Sequence, residues 1–408
     1  MKKEIRFLFV LASLILTILA CAFPPAGITP APPVNVETIV AETFAALTGT
    51  APEISATLPP ATVGLLPHSM YFLNNDGAGL AQVYRLETDG KTVTQLTFEP
   101  AKVEGYDVSL VDGSVAYVSN NQLLTVNADG SNRSMVVEGG PRDENNPFLT
   151  SITNPVWSPN GQTIAFGHKG LNFYSIISSQ SNRVLENDID DLGGGLFVPR
   201  EMYWPEKYTA DGSKLVITLG YYEGASAAIY YPNGNALVRL SNDAGAFICC
   251  GYTEWTADGS ALYSAYPYMG MFVPGLWRID AANGAVTTLI NGDPGNGTFN
   301  YADAPYLAPD GQLYYFFTNQ PNTSEFASRP PLQLVRSAAD GVTNRITLRP
   351  ETFELMNESL WAPDASFVLA AMAPIPDVYQ GGRVDLYYTD GQPVISLIPF
   401  AMNMKWGP

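Results

Sequence analysis

Histidine is almost missing from this chain of 408 residues, which has two, His68 and His168. A His-bridged catalytic triad has little to be built from. No G-x-S-x-G, H-E-x-x-H or C-x-x-C occurs, so the nucleophile elbow, the zinc-protease helix and the dithiol site have no support. Positive charge is scarce too: 21 Lys and Arg stand against 39 Asp and Glu, a net charge of -18. That sign repels a phosphate backbone and excludes nucleic acid as an expected partner. Cysteine occurs three times, as Cys21, Cys249 and Cys250. What is plentiful is apolar side chains, 46% of residues against 15% charged, enough to bury a full core over most of the length.

The chain opens on a basic head, "MKKEIR", then the 14 residues "FLFVLASLILTILA", then Cys21 ahead of "AFPP". The run is short of the roughly 20 residues a spanning helix needs, and Pro24 and Pro25 stop its extension, so residues 1–20 read as an export signal. Without them the net charge falls to about -20, since Lys2, Lys3, Arg6 and Glu4 are lost. Ile18-Leu19-Ala20-Cys21 resembles the bacterial lipobox, in which an aliphatic and a small residue precede a Cys that receives diacylglycerol. The resemblance implies lipidation at Cys21, a membrane partner reached through the lipid, and an extracytoplasmic place in a bacterial cell envelope. Two or three acyl chains, at about 0.8 kcal/mol per buried CH₂, hold a protein stably where one holds it marginally. The alternatives are an ordinary cleaved signal with an incidental Cys and an uncleaved anchor.

Residues 21–67 are rich in Pro, Ala and Thr, the composition of a semi-extended tether that packs no core. Within them "VNVETIVAETFAALT" places Val36, Ile39, Val40, Phe44 and Leu47 near helical spacing, which suits a marginal helix in the linker or one touching the membrane or the folded part. A flexible coil of this length spans roughly 35 to 40 Å, and proline lengthens it. Residues 68–408 form the expected folded domain.

That domain repeats itself. A turn carrying Asp/Asn-Gly followed by an apolar string recurs as "LVDGSVAYVS", "WSPNGQTIAF", "YTADGSKLVI", "WTADGSALYS", "LAPDGQLYYF" and "WAPDASFVLA". Gly113, Gly161, Gly212, Gly259, Gly311 and Ala365 are spaced by 48, 51, 47, 52 and 54 residues. A second motif runs out of phase with it, among its copies "QVYRLETDG", "QLLTVNADG", "LWRIDAANG" and "DLYYTDG", with "NFYSIISSQS" as a degenerate one. Each unit therefore reads as four short strands with tight turns between the first and second and between the third and fourth. Asn-Gly and Asp-Gly tolerate the positive φ such turns need. The Trp or Tyr ahead of the first turn is expected to pack between neighbouring sheets.

Four-stranded units repeated around a ring make a β-propeller, so the expected fold class is all-β, a single propeller behind an N-terminal lipidated tether. Over about residues 69–408 the repeat resembles that of TolB-type propellers, shared with the propellers of prolyl-oligopeptidase relatives, with Trp157-Ser158-Pro159-Asn160-Gly161 its clearest copy. Seven third-strand motifs against six first-turn motifs leave the first blade short of one strand. The C-terminal "AMNMKWGP" supplies it, giving seven blades closed by strand exchange, with six, the TolB count, as the alternative. The family's TolB carries an α/β domain before its propeller and is a soluble periplasmic partner of a peptidoglycan-associated lipoprotein. A tether and a lipid take that place here, so only the propeller carries over.

Function is expected on the face whose loops are long and dissimilar, such as "ENDIDDLGGGLFVPREMY", "YPYMGMFVP" and "NGDPGNGTFNYAD". Their aromatics, Trp204, Tyr266, Tyr268, Phe272 and Tyr301 foremost, are candidates for a ligand face that takes a protein, peptide or glycan, or for rings that plug the loops into the rim. His168 reads as solvated. "NDIDD" has the oxygen ligands Ca²⁺ favours without EF-hand spacing, so no cofactor is expected, and Ca²⁺ is the one candidate. Adjacent Cys249 and Cys250 read as buried free thiols or as a strained vicinal disulfide. Two function classes follow: a non-catalytic binding module of the envelope, and an extracytoplasmic propeller enzyme, a lyase or hydrolase of glycans or lactones. The lining of the central channel separates them: a cluster of facing carboxylates argues for chemistry, and a ring of mixed small residues does not.

Overall fold

The computed structural model describes residues 64–241, 252–267, 274–321 and 329–408. Cys21, Cys249, Cys250, Tyr268 and Phe272 lie outside them, as does the whole tether up to residue 63. The compact unit runs from Val63 to Pro408. It is all β, and its strands fall into antiparallel sheets that follow one another along the chain. Among the described residues no helix is long and apolar enough to cross a membrane.

Four sheets have four strands each and one has five; the last is continuous over seven, running from Met356–Trp361 through Ile395–Trp406 and on to Met70–Asn75 and its partners. The strand Ile395–Trp406 accounts for the length of that sheet. Its first half pairs with Gly382–Tyr388 as the outer strand of the last blade (Ile398 opposite Val384), and its second half pairs with Met70–Asn75 (Trp406 opposite Met70, Met402 opposite Leu73). The seven-stranded sheet is therefore two blades, and the ring has seven, closed by the exchanged strand that the motif count demanded.

The turn motif owes its residue types to a hydrogen-bond pattern. In blade 5 the Thr256 hydroxyl donates to Asp258 Oδ1 (2.6 Å) and accepts the Ala261 amide (3.1 Å), while the Ser260 amide donates to the same Asp258 oxygen (3.0 Å). Ser158 and Asn160 do the same in blade 3 (2.7 Å between them, and 2.9 Å from the Thr163 amide to Ser158 Oγ). The fourth position closes the turn, Gly161 N to Ser158 O at 2.9 Å, and needs a positive φ, +67° at Gly161. Ala365 adopts the same hand at 57° without the freedom of glycine.

Where a Trp stands ahead of the turn it packs between blades as expected. Trp255 joins Val216 and Ile229 of blade 4 to Leu262 and Ile279 of blade 5, and Trp361 joins Phe316 of blade 6 to Val368 of blade 7. Three of the indoles also donate across the seam, Trp255 to Lys207 O (3.1 Å), Trp361 to Ala304 O (2.9 Å) and Trp406 to Trp361 O (2.7 Å), whereas the buried Trp157 Nε1 has no hydrogen-bond partner. Burying such a ring stabilises the seam by about 3 kcal/mol or more, judged by the usual cost of truncating one to Ala.

Candidate functional site

Every blade turns its inner strand toward a common channel, a cavity of about 770 Å³. Its wall takes residues 104–108, 154–157, 205–208, 253–255, 306–307, 358–360 and 403–406, one segment from each of the seven blades. At the tight-turn end it continues over Leu110, Pro159, Ala210, Ala257 and Pro309. The charge on this wall is mostly acidic: Glu104, Asp107, Glu206, Glu254 and Glu358 face Lys207 and Lys405.

The polar groups are tied to one another or to backbone. Lys405 Nζ donates to Asp107 Oδ1 (2.8 Å), whose other oxygen accepts the Trp157 amide (2.6 Å). Lys207 Nζ donates to Glu254 Oε2 (2.6 Å), so the two lysines each bridge to the next blade. Arg142, from the loop between blades 2 and 3, grips Glu104 through both oxygens (2.9 and 2.5 Å). Glu358 accepts the Met404 amide, and Tyr106 Oη donates to Asn403 O (2.5 Å). Glu206 accepts from Thr218 Oγ1 (2.8 Å) and Asn154 Nδ2 (3.3 Å).

Glu206 and Glu358 have no cation within ion-pair distance among the described residues. Protein surrounds the channel, and this burial raises both carboxyls to about 7, partly offset by hydrogen bonds and by the charge of Lys405. Glu206 nevertheless presents surface to the channel space, and a channel wide enough for water tempers the shift. Asp303, on the inner strand of blade 6, is likewise raised to about 7 by burial. No three His, Cys, Asp or Glu side chains among the described residues gather as metal ligands.

The loop-side candidates sit elsewhere. Tyr301 is 2% exposed inside the blade 6–blade 7 core beside Phe299, so its ring is part of the packing rather than a stacking surface. The stretch "GTFNYAD" that reads as loop is strand, because the inner strand of blade 6 extends over Thr298–Leu307. Trp204 is half-buried on Phe197–Tyr208, its ring laid against Gly220, where an added Cβ would lie 2.2 Å from it, and against Gly167. Tyr266 is half-buried against the blade 4–blade 5 core. None of these three lines the channel.

Two further readings are corrected. "NDIDD" is no loop: Asp188–Asp191 pairs with the start of Phe197–Tyr208 as a hairpin over three glycines of positive φ, with Asp190 held by Arg200 (2.6 Å). His168 is half-buried at the turn between Gly167 and Gly170, and burial lowers its pKa below the usual imidazole value.

No protein-family model and no curated protein matches this chain. Among solved structures it is similar to TolB from Acinetobacter baumannii, with 14% identity over 82% of this chain and 80% of that one, at a TM-score of 0.41. A prolyl endopeptidase structure is similar at 12% identity and a TM-score of 0.53, covering 83% of this chain and 49% of that one. An oligogalacturonate lyase in complex with manganese is similar at 9% identity and a TM-score of 0.52, covering 81% and 84%. At such identities the likeness is one of fold, and the fold is the β-propeller that the TolB-type repeat implies.

Proposed function

We propose that this protein is an exported lipoprotein, held to a cell-envelope membrane through Cys21, whose propeller is a binding module taking a protein, peptide or glycan at the central channel. The observation that carries the reading is the acidic channel wall, in which Asp107, Glu104, Glu254 and Glu358 are already fixed by Lys405, Arg142, Lys207 and the Met404 amide. A site whose polar groups are ordered beforehand binds without the entropic cost of ordering them. The channel is favoured over the loop face because Trp204 and Tyr301 are engaged in packing.

Two measurements test this. Cys21→Ser is expected to leave the detergent phase on partitioning, and a variant that stays there sinks the anchor. Capture from envelope extract or on a glycan array is expected to be lost in Glu358→Gln at an unchanged or higher melting temperature. Retained capture sinks the channel site.

A second reading, the enzyme, is supported by the facing carboxylates of the channel, the lining expected where there is chemistry. Glu206 and Glu358, at about 7, are poised to give or take a proton near neutral pH, as a general acid or base of a glycan or lactone lyase or hydrolase must. Turnover of such substrates that vanishes in both Glu206→Gln and Glu358→Gln selects that reading.

A further inference from the structure

Asn-Gly pairs stand in this chain at Asn160, Asn233, Asn283, Asn291 and Asn296. Such a pair is chemically labile, because a glycine amide with no side chain to shield it can attack the preceding Asn at Cγ. Two features decide which pair reacts: whether that amide is already donating to an acceptor, and whether donors face the Oδ1 on which negative charge develops.

In the repeated turns the amide is engaged. Gly161 N donates to Ser158 O and Gly284 N to Asp280 O, both at 2.9 Å. Gly234 ends the 3₁₀ turn Pro232–Gly234, whose i to i+3 bonds engage it in the same way. Gly292 is buried, and Asn291 Oδ1 receives only the Asp293 amide at 3.3 Å. Asn296 differs on both counts. It is exposed on the loop that joins blade 5 to blade 6, the Gly297 amide has no acceptor among the described residues, and open space surrounds Gly297. Its Oδ1 accepts both the Thr298 hydroxyl (2.7 Å) and the Thr298 amide (3.1 Å). Asn319 Nδ2 donates to that same hydroxyl at 2.9 Å, which leaves its one proton for Asn296.

We propose that Asn296 is a site of self-promoted covalent modification, converted to Asp and isoaspartate by the Gly297 amide with Thr298 as the activating residue. The Gly297 nitrogen attacks Asn296 Cγ and closes a five-membered succinimide, while its proton passes to the side-chain nitrogen, which leaves as ammonia. Water then adds to either carbonyl of the ring and reopens it. One opening gives Asp and the other isoaspartate, so one water is gained and one ammonia lost, with nothing oxidised or reduced. The two donors of Thr298 face the oxygen on which charge gathers during the attack, as the donors of an oxyanion hole do. Each event adds one negative charge to the loop face, and isoaspartate lengthens the backbone by one atom ahead of the Thr298–Pro321 pair. Phe299, buried in the blade 6–blade 7 core, holds the strand that follows in register.

Timed incubation of the folded full chain in mildly alkaline buffer, followed by digestion and peptide mass analysis, tests it. The fragment carrying Asn296 is expected to gain about 1 Da and to split into Asp and isoaspartate forms, while fragments carrying Asn160, Asn233 and Asn283 stay unchanged. Thr298→Val, which keeps the amide and loses the hydroxyl, should slow the conversion roughly tenfold, less than an oxyanion donor is worth in an enclosed enzyme site. Thr298→Ser should restore it. Melting curves of each variant show that it is folded. In the chain unfolded by urea the pairs should convert at comparable rates, and a lead for Asn296 that persists there belongs to the local sequence and overturns the proposal. So does an Asn296 that stays intact in the folded chain, an Asn160 or Asn283 that converts as fast as Asn296, or a Thr298→Val variant that converts as fast as the parent.

Discussion

Lys405 and Asp107 are 298 residues apart in the chain and 2.8 Å apart in space. The pair links the exchanged strand of blade 1 to the inner strand of blade 2, so it reports directly on whether the ring is closed. Removing residues 401–408 takes away the pair together with the inner strand of blade 1 and bares the edge of Met70–Asn75. The truncated chain is expected to aggregate, because an unpaired edge recruits other strands. A soluble truncated chain with the parent's melting temperature refutes strand exchange as the closure. Lys405→Met alone, with the strand kept, should cost only on the order of 1 kcal/mol, since the pair is partly exposed to the channel and screened.

Acidity should stabilise this protein over a range where most proteins are indifferent. Glu206, Glu358 and Asp303 stand at about 7 when folded against ordinary values of 4.5 and 3.8 when unfolded. Between those limits the folded chain holds protons that the unfolded chain has lost, so stability falls as pH rises toward 7 and beyond. Asp211 and Asp258, lowered to about 2 by their turn hydrogen bonds, act in the opposite sense, and their contribution is lost as pH drops below about 4. A melting-temperature maximum near pH 5 is expected, and Glu358→Gln should flatten the limb above it. A parent whose melting temperature rises from pH 5 to 8 contradicts the assignment.

Gly220 is expected to tolerate no side chain. An added Cβ would lie 2.2 Å from the Trp204 ring, so Gly220→Ala should destabilise by about 1–3 kcal/mol in denaturant unfolding. Gly224, with open space around it but a φ of +117°, provides the contrast: there the same change costs through the backbone alone. Should Gly220→Ala be neutral, Trp204 is free to leave the seam and regains its place as a candidate for binding.

Thr256→Val keeps the shape of a buried side chain and removes the hydroxyl that serves Asp258 and the Ala261 amide. A loss of about 1–2 kcal/mol is expected, with channel binding unchanged. Unchanged stability would mean that the turn is held by its backbone bonds and that the recurrence of Ser and Thr after the aromatic has another cause.

Much of this architecture is readable from the amino-acid sequence because it is written in local, repeated units. The Asp-Gly and Asn-Gly turns, the seam tryptophans and the orphan "AMNMKWGP" each declare themselves within ten residues, and the repeat supplies the register. The channel does not declare itself this way. Asp107, Glu206, Glu254 and Glu358 occupy unlike positions in unlike blades, and only ring closure brings them to one wall. Bulges also shift the inner strands, as between Pro205 and Lys207 and between Asp303 and Tyr306, so a strict alternation misassigns the side chains that follow. Trp204 and Tyr301 read as loop aromatics because inner strands of 12 and 10 residues exceed the short strands that the repeat suggests.

The strand Ile395–Trp406 belongs to two blades at once, and this imposes an order of events on folding. As the chain is synthesised, the first three strands of blade 1 emerge earliest and yet cannot be completed until the final strand arrives, whereas blades 2 to 6 can each assemble as soon as their own strands are out. The side of Met70–Asn75 that will receive residues 402–406 stays open through that interval. The earliest segment of the propeller is thus the last to be sealed, and its waiting time is set by the length of everything between.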